Sequence, residues 1–130
     1  MDKKIISTAG FFGITAIILG AFGAHALKKV LTIDELSTFE TGVKYQMYHA
    51  LFLLFIGMTN LLTVKTKKTI LALTIVGVML FSGSIYLLST MGISNINFKV
   101  IGFVTPIGGA LLIVAWGVLL FQSIKIKDKS

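Results

Sequence analysis

Two histidines are the side chains of this sequence best suited to chemistry. Imidazole ligates metals and haem, and it titrates near neutral pH. His25 closes the first apolar run, in the stretch GAFGAHALKK, and His49 lies in the stretch YQMYHALFLL. The sequence contains no cysteine, so it offers no thiolate nucleophile and no cysteine-based metal site. His25 and His49 are therefore the starting point for any haem or metal hypothesis.

Other polar residues recur at the spacing of a helix face. One stripe lies in the second apolar run and contains Tyr45, His49, Phe52, Ile56 and Asn60. Another lies in the third run and contains Ser82, Tyr86 and Ser89. Polar groups on a membrane helix normally face the protein interior or water. We expect a ligand pocket near the outer surface, formed by His25, Tyr45, His49, Ser82, Tyr86 and Ser89.

The composition requires these residues to lie on membrane helices. Of 130 residues, 55% are hydrophobic and 13% are charged, and the mean hydropathy is +0.94. A soluble domain of this size needs more polar surface. A bilayer core about 30 Å thick requires roughly 20 apolar residues in a helix. Four segments qualify, namely residues 5–27, 45–64, 69–93 and 100–124. The predicted fold is all-α, a single-domain polytopic integral membrane four-helix bundle.

The long loop after the first span contains a helix signal. Thr32 and Glu35 have the spacing of a capping box. Apolar residues then recur at helical spacing through residues 33–44, with charged residues between them. This pattern predicts an amphipathic helix that lies at the outer surface and leads into the second span.

The net charge of +7 reflects twelve lysines, which lie near the ends of the apolar runs, against five acidic residues. Eight share the side of the termini, namely Lys3, Lys4, Lys65, Lys67, Lys68, Lys125, Lys127 and Lys129. Four share the other side, namely Lys28, Lys29, Lys44 and Lys99. This asymmetry predicts that both termini are cytoplasmic. It also explains the charge without nucleic-acid binding, for which there is no basic face or soluble module.

Small residues and one proline indicate how the helices pack. Gly13, Gly20 and Gly23 share a face of the first span, which predicts close contact within a protomer or between protomers of a homo-oligomer. In the fourth span, Pro106 removes a backbone donor, and Gly102 four residues earlier leaves room for a bend. We expect a kink there. Gly109 and Trp116 share a face of this span, and Trp116 is expected to anchor the inner interface.

Four stretches of the sequence resemble the successive motifs of one family. They are GAFGAHAL, YQMYHALFLL, LFSGSIYLL and TPIGGALLIVAWG, in this order over almost the whole chain. The family is the YgdD/YwdK-like group of small bacterial membrane proteins, related to the eukaryotic transmembrane protein 256. The resemblance implies a four-helix protein of the inner (plasma) membrane. It implies no catalytic or ligand-binding residue.

The predicted function is non-catalytic: packing with itself or a partner, with a pocket that holds a membrane lipid or a quinone. Ser82 or Ser89 could pair with His49 as a nucleophile and base, but no nucleophile-elbow motif accompanies them. No cofactor and no metal site are predicted. A His-ligated haem or metal redox protein and a small transporter stay as alternatives, although the predicted spans contain no acidic or basic side chain other than histidine.

Overall fold

A computed structural model of the protein describes residues 1–90 and 99–127. Within these ranges the chain is helical and has no strand, which confirms the all-α prediction. The four long helices are α1 (Asp2–His25), α2 (Ile33–Met58), α3 (Val64–Ser89) and α4 (Val104–Ile124). Short 3₁₀ turns occupy Leu27–Lys29 and Lys99–Phe103. Three segments are long and apolar enough to cross a membrane, namely Asp2–Lys29, Val64–Ser89 and Ile101–Ile124.

The second helix runs antiparallel to α1 along its whole length. Val43 of α2 packs at Gly20, Phe39 packs at Gly23, and Gly57 near the other end of α2 packs at Ile5. With about 1.5 Å of rise per residue, α2 is roughly 39 Å long, so it matches the extent of α1. α2 also packs against α3, and α3 packs against α4. The most extensive contacts therefore join helices that follow one another in the chain.

The bounds of α2 differ from the predicted second span. The capping box forms as expected: the Thr32 hydroxyl accepts from the Glu35 backbone N–H at 3.1 Å, and the Glu35 carboxylate accepts from the Thr32 N–H at 2.9 Å. The predicted amphipathic segment 33–44 is the first half of α2 and runs beside α1, because its apolar residues pack against α1 glycines. At the other end α2 stops at Met58, so Asn60 lies in a turn and leaves the predicted stripe.

The third helix begins at Val64, five residues before the predicted start of its span. Thr63 caps it by accepting a hydrogen bond from the Thr66 N–H at 3.2 Å. The helix ends at Ser89. Residues 91–93 of the predicted span and the predicted turn at 94–97 lie outside the described residues.

A buried lysine joins three helices at what we call the terminal end, where α1 begins, α2 ends and α3 begins. Lys67 is only 4% exposed, and in the sequence it counted only as one of the lysines that predict the topology. Its ammonium group donates to the Asp2 carboxylate at 2.9 Å and to the Thr59 carbonyl at 2.6 Å. A buried charge needs such partners because burial removes its hydration. The contact fixes the start of α1 against the turn between α2 and α3.

The residues around Pro106, where we expect a kink, lie at the start of an α-helix rather than inside one. Pro106 lies in the first turn of α4, where a backbone N–H has no helical partner and its loss costs little. Before it, the chain follows the 3₁₀ turn rather than a longer α-helix. The Thr105 hydroxyl of α4 forms a hydrogen bond with the Ser84 hydroxyl of α3.

The predicted packing glycines have different neighbours. Gly20 and Gly23 face α2, so this part of the small-residue face is used within the protomer. Among the described residues, nothing lies within 4 Å of a Cβ built at Gly13 or Gly102. The closest approach is at Gly108, where a Cβ would lie within 3 Å of backbone atoms of α3. Only glycine permits that contact.

We expect Gly108→Ala to lower the stability of the protein by about 2 kcal/mol, because the added methyl group must push α4 away from the backbone of α3. Gly109→Ala is the matched control: its Cβ would lie 3.5 Å from the Phe81 ring, an ordinary contact. Thermal unfolding in detergent measures both. Equal midpoints for the two variants would show that the helices are not this close.

Candidate functional site

The centre of the site is a hydrogen bond between His49 of α2 and Trp116 of α4. The Trp116 indole N–H donates to Nε2 of His49 at 3.1 Å. The other ring nitrogen, Nδ1, lies 2.7 Å from the Tyr45 carbonyl oxygen on the same helix. Phe52 stacks against the indole with ring centroids 4.1 Å apart. His49 is 4% exposed and Trp116 is 47% exposed, so the indole covers the imidazole.

These two partners determine the protonation of His49. A carbonyl oxygen can only accept, so Nδ1 must carry a proton, and an indole N–H can only donate, so Nε2 must be bare. The arrangement requires the neutral Nδ1–H tautomer. Both nitrogens are then occupied by protein groups, and a metal or haem iron could bind Nε2 only after the Trp116 bond is broken.

His49 lies deeper than the sequence suggested. The pairing of α2 with α1 places it level with about the middle of α1, whereas we expected it near the outer surface. His25 lies at the end of α1 and is exposed. With 1.5 Å of rise per residue, the two histidines are roughly 18 Å apart along the helix axis. They do not meet. Within residues 1–90 and 99–127, no group of three potential metal ligands occurs.

A groove with a volume of about 440 Å³ opens beside the His49–Trp116 pair. Three helices form it, and its lining residues are Tyr45, His49, Phe81, Gly109, Leu112, Ile113 and Trp116. The lack of a side chain at Gly109 leaves space opposite the aromatic rings. Tyr45 and Phe81 stack with centroids 5.0 Å apart and form one wall. The groove is therefore a mainly apolar recess with one polar pair, and we call it the α4 groove.

The structure separates the other predicted pocket residues from this groove. The Ser82 hydroxyl donates to the Gly42 carbonyl of α2 at 2.8 Å. The Tyr86 hydroxyl donates to the side-chain oxygen of Gln46 at 2.6 Å. Ser89 donates to the carbonyl of Tyr86 on its own helix. Of the six predicted pocket residues, only Tyr45 and His49 line the groove.

Gln46 connects three helices in a second buried network. Its amide nitrogen donates to the Phe12 carbonyl at 3.0 Å and to the Thr15 hydroxyl at 2.6 Å, both on α1. Its amide oxygen accepts from Tyr86 of α3. Gln46 is 5% exposed. The amide nitrogen and the amide oxygen of Gln46 thus both have hydrogen-bond partners inside the protein.

Sequence analysis missed Gln46, Thr15 and the role of Trp116. One signal was present for Gln46: an amide within a membrane helix needs a partner on a neighbouring helix. Trp116 was assigned to the membrane interface from its distance to the terminal lysines. Its helical phase with Gly109 was visible, but the contact with His49 depends on how α4 packs against α2.

We expect Tyr86→Phe to destabilise the protein by about 1 kcal/mol, because it leaves the buried Gln46 oxygen without its donor. Tyr48→Phe is the matched control, since Tyr48 is half exposed. Thermal unfolding in detergent should show a lower midpoint for the first variant only. A network with no role in stability would leave both midpoints at the wild-type value.

Comparison with known proteins identifies relatives over nearly the whole chain. The family model described as "Protein of unknown function (DUF423)" matches residues 19–109. A UPF0382 membrane protein of Haemophilus influenzae is 35% identical over 128 residues, which cover 98% of this chain and 99% of the relative. The UPF0382 membrane protein YwdK of Bacillus subtilis is 35% identical over 125 residues, covering 95% and 98%. No solved structure matches the chain.

The UPF0382 inner membrane protein YgdD of Escherichia coli is 32% identical over 132 residues, covering 98% of this chain and 95% of the relative. These matches confirm the resemblance to the YgdD/YwdK-like proteins. They also agree with the three helices that are apolar enough to cross a membrane. The chain belongs to the DUF423 family of UPF0382 membrane proteins.

Proposed function

We propose that this membrane protein is a non-catalytic binding protein whose α4 groove takes an isoprenoid quinone or the ester region of a membrane lipid. The observation that carries the proposal is the groove itself, an apolar recess of about 440 Å³ beside a polar pair. Sites for small molecules are typically of this size, mainly apolar, with few polar groups that fix orientation. Ile113 and Tyr45 on its rim are exposed, which supports access from the bilayer.

The His49–Trp116 pair has the chemistry to recognise such ligands. The indole N–H is a donor and suits a quinone or ester carbonyl oxygen. Nε2 of His49 is an acceptor and suits a hydroxyl group, such as that of a quinol. A quinol hydroxyl that enters between them can accept from the indole N–H and donate to Nε2, so both groups keep a partner, whereas a carbonyl oxygen pairs with the indole alone.

A binding role fits the groove better than a catalytic one. The serines proposed as nucleophiles bond to backbone carbonyls, Ser82 to Gly42 and Ser89 to Tyr86. Both are therefore engaged away from His49, whose own acceptor nitrogen faces Trp116.

We also propose that the protein lies in the cell membrane with both termini in the cytoplasm. The asymmetry of lysines supports this orientation. The exposed lysines Lys3, Lys65 and Lys125 lie at the terminal end of the described structure, whereas Lys28 lies at the opposite end.

The binding proposal is tested by native mass spectrometry of the protein extracted from its own membrane in mild detergent. We expect one extra mass per chain, whose value distinguishes a quinone from a phospholipid. Gly109→Leu should remove that mass, because the new side chain fills the groove. Gly117→Leu makes the same change on α4 where no described residue lies within 4 Å of a Cβ, and it should keep the mass.

The proposal would be overturned if protein from the native membrane carried no extra mass. Equal loss of the extra mass in both leucine variants would also overturn it. The same spectra report the number of chains in the particle. A homo-oligomer that survives Gly109→Leu would place the contact between chains away from the groove.

The orientation is tested with single cysteines, since the native chain contains none. We expect a membrane-impermeant maleimide to label Lys28→Cys in intact cells, because that residue follows the outer end of α1. Lys3→Cys should react only after permeabilisation. The reverse labelling pattern would show that the termini lie outside the cytoplasm.

A further inference from the structure

A second cavity opens at the terminal end, between the start of α3 and the end of α4. Its volume is about 820 Å³. Its polar lining includes Thr63, Thr66, Gln122, Lys125 and Lys127. It shares no lining residue with the α4 groove, so it is a separate site. We call it the terminal cavity.

The wall formed by α3 presents hydrogen-bond donors. The Thr63 hydroxyl accepts from the Thr66 backbone N–H and donates to the Thr66 hydroxyl at 3.0 Å. The Thr66 hydroxyl therefore accepts this bond and keeps its own hydrogen to donate. Thr66 is 8% exposed and lines the cavity. The N-terminus of α3 also carries the positive end of the helix dipole, which favours a negative group nearby.

The wall formed by α4 carries two cationic side chains, Lys125 and Lys127. Lys125 lies over the Phe121 ring with its nitrogen 4.3 Å from the centroid, which is a favourable cation–π contact. On α3, Lys67 is already paired with Asp2, whereas Lys65 and Lys68 are exposed. Among the described residues, the charged side chains that line the cavity are therefore both cationic.

We propose that the terminal cavity binds the phosphate headgroup of an anionic phospholipid in the adjacent leaflet. Two lysines and a threonine hydroxyl supply the charge and the donors that a phosphate needs. Basic pockets between membrane helices bind anionic headgroups in this way. Leu61, Leu62 and Ile126 add apolar lining, which suits the start of the acyl chains and distinguishes a lipid from a free phosphate ion.

The test is lipid binding to the purified full-length protein, titrated with phosphatidylglycerol or with zwitterionic phosphatidylcholine and followed by native mass spectrometry. We expect preferential binding of phosphatidylglycerol. The double variant K125Q/K127Q should weaken it about thirtyfold, since each lysine near an anionic lipid contributes roughly 1 kcal/mol and about 1.4 kcal/mol corresponds to a factor of ten.

The matched control is K3Q/K4Q, which removes the same charge at the same end from exposed residues that do not line the cavity. It should change binding less than about twofold. Equal weakening by both double variants would overturn the site in favour of general surface charge. Thr66→Val keeps the net charge and should also weaken binding, because it removes the hydroxyl donor.

Competition with inorganic phosphate distinguishes a lipid headgroup from a free phosphate ion, because both present the same phosphate group. We expect excess phosphate to leave phosphatidylglycerol bound to the wild-type protein. Displacement by phosphate would show that the cavity holds a free anion and would overturn the assignment to a lipid. Gly109→Leu should leave this binding intact, so failure at the terminal cavity and failure at the α4 groove are distinguishable.

Discussion

Gln46 and His49 place two strongly polar side chains near the middle of α2, which is not among the three described segments that are long and apolar enough to cross a membrane. Hydrocarbon offers no hydrogen-bond partner, so such a helix is stable in a bilayer only where neighbouring helices satisfy it. Thr15 of α1, Tyr86 of α3 and Trp116 of α4 supply these partners. α2 is thus the helix around which the other three must pack.

The packing of α4 follows from two residues of very different size. Gly108 brings its backbone against α3. Farther along, Trp116 reaches across to His49 and Phe52 of α2. Between these contacts Gly109 contributes no side chain, and the α4 groove remains. The recess therefore results from the same contacts that fix the helix.

The two ends of the molecule differ in the partners that stabilise their charged side chains. At the terminal end Lys67 is buried and neutralised by Asp2, while other lysines of that end remain exposed. At the opposite end the capping box of Thr32 and Glu35 satisfies the start of α2. A count of lysines treats Lys67 as one more topological signal. Its contacts show a structural role, because a buried ammonium group is stable only with a carboxylate or carbonyl beside it.

The sequence alone determined the membrane class, the all-α fold, the capping box and the family, because composition, apolar run length and local motifs suffice for these. Helical phase also predicted that Tyr45 and His49 lie on the same face of one helix. Only the tertiary structure decided that Ser82 and Tyr86 bond to α2, that Pro106 lies in the first turn of a helix, and that Trp116 bonds to His49. The helical phase of a residue gives the direction in which its side chain leaves the axis of its own helix. Which neighbour it meets depends on the register and spacing between helices, and those are set by contacts far apart in the chain.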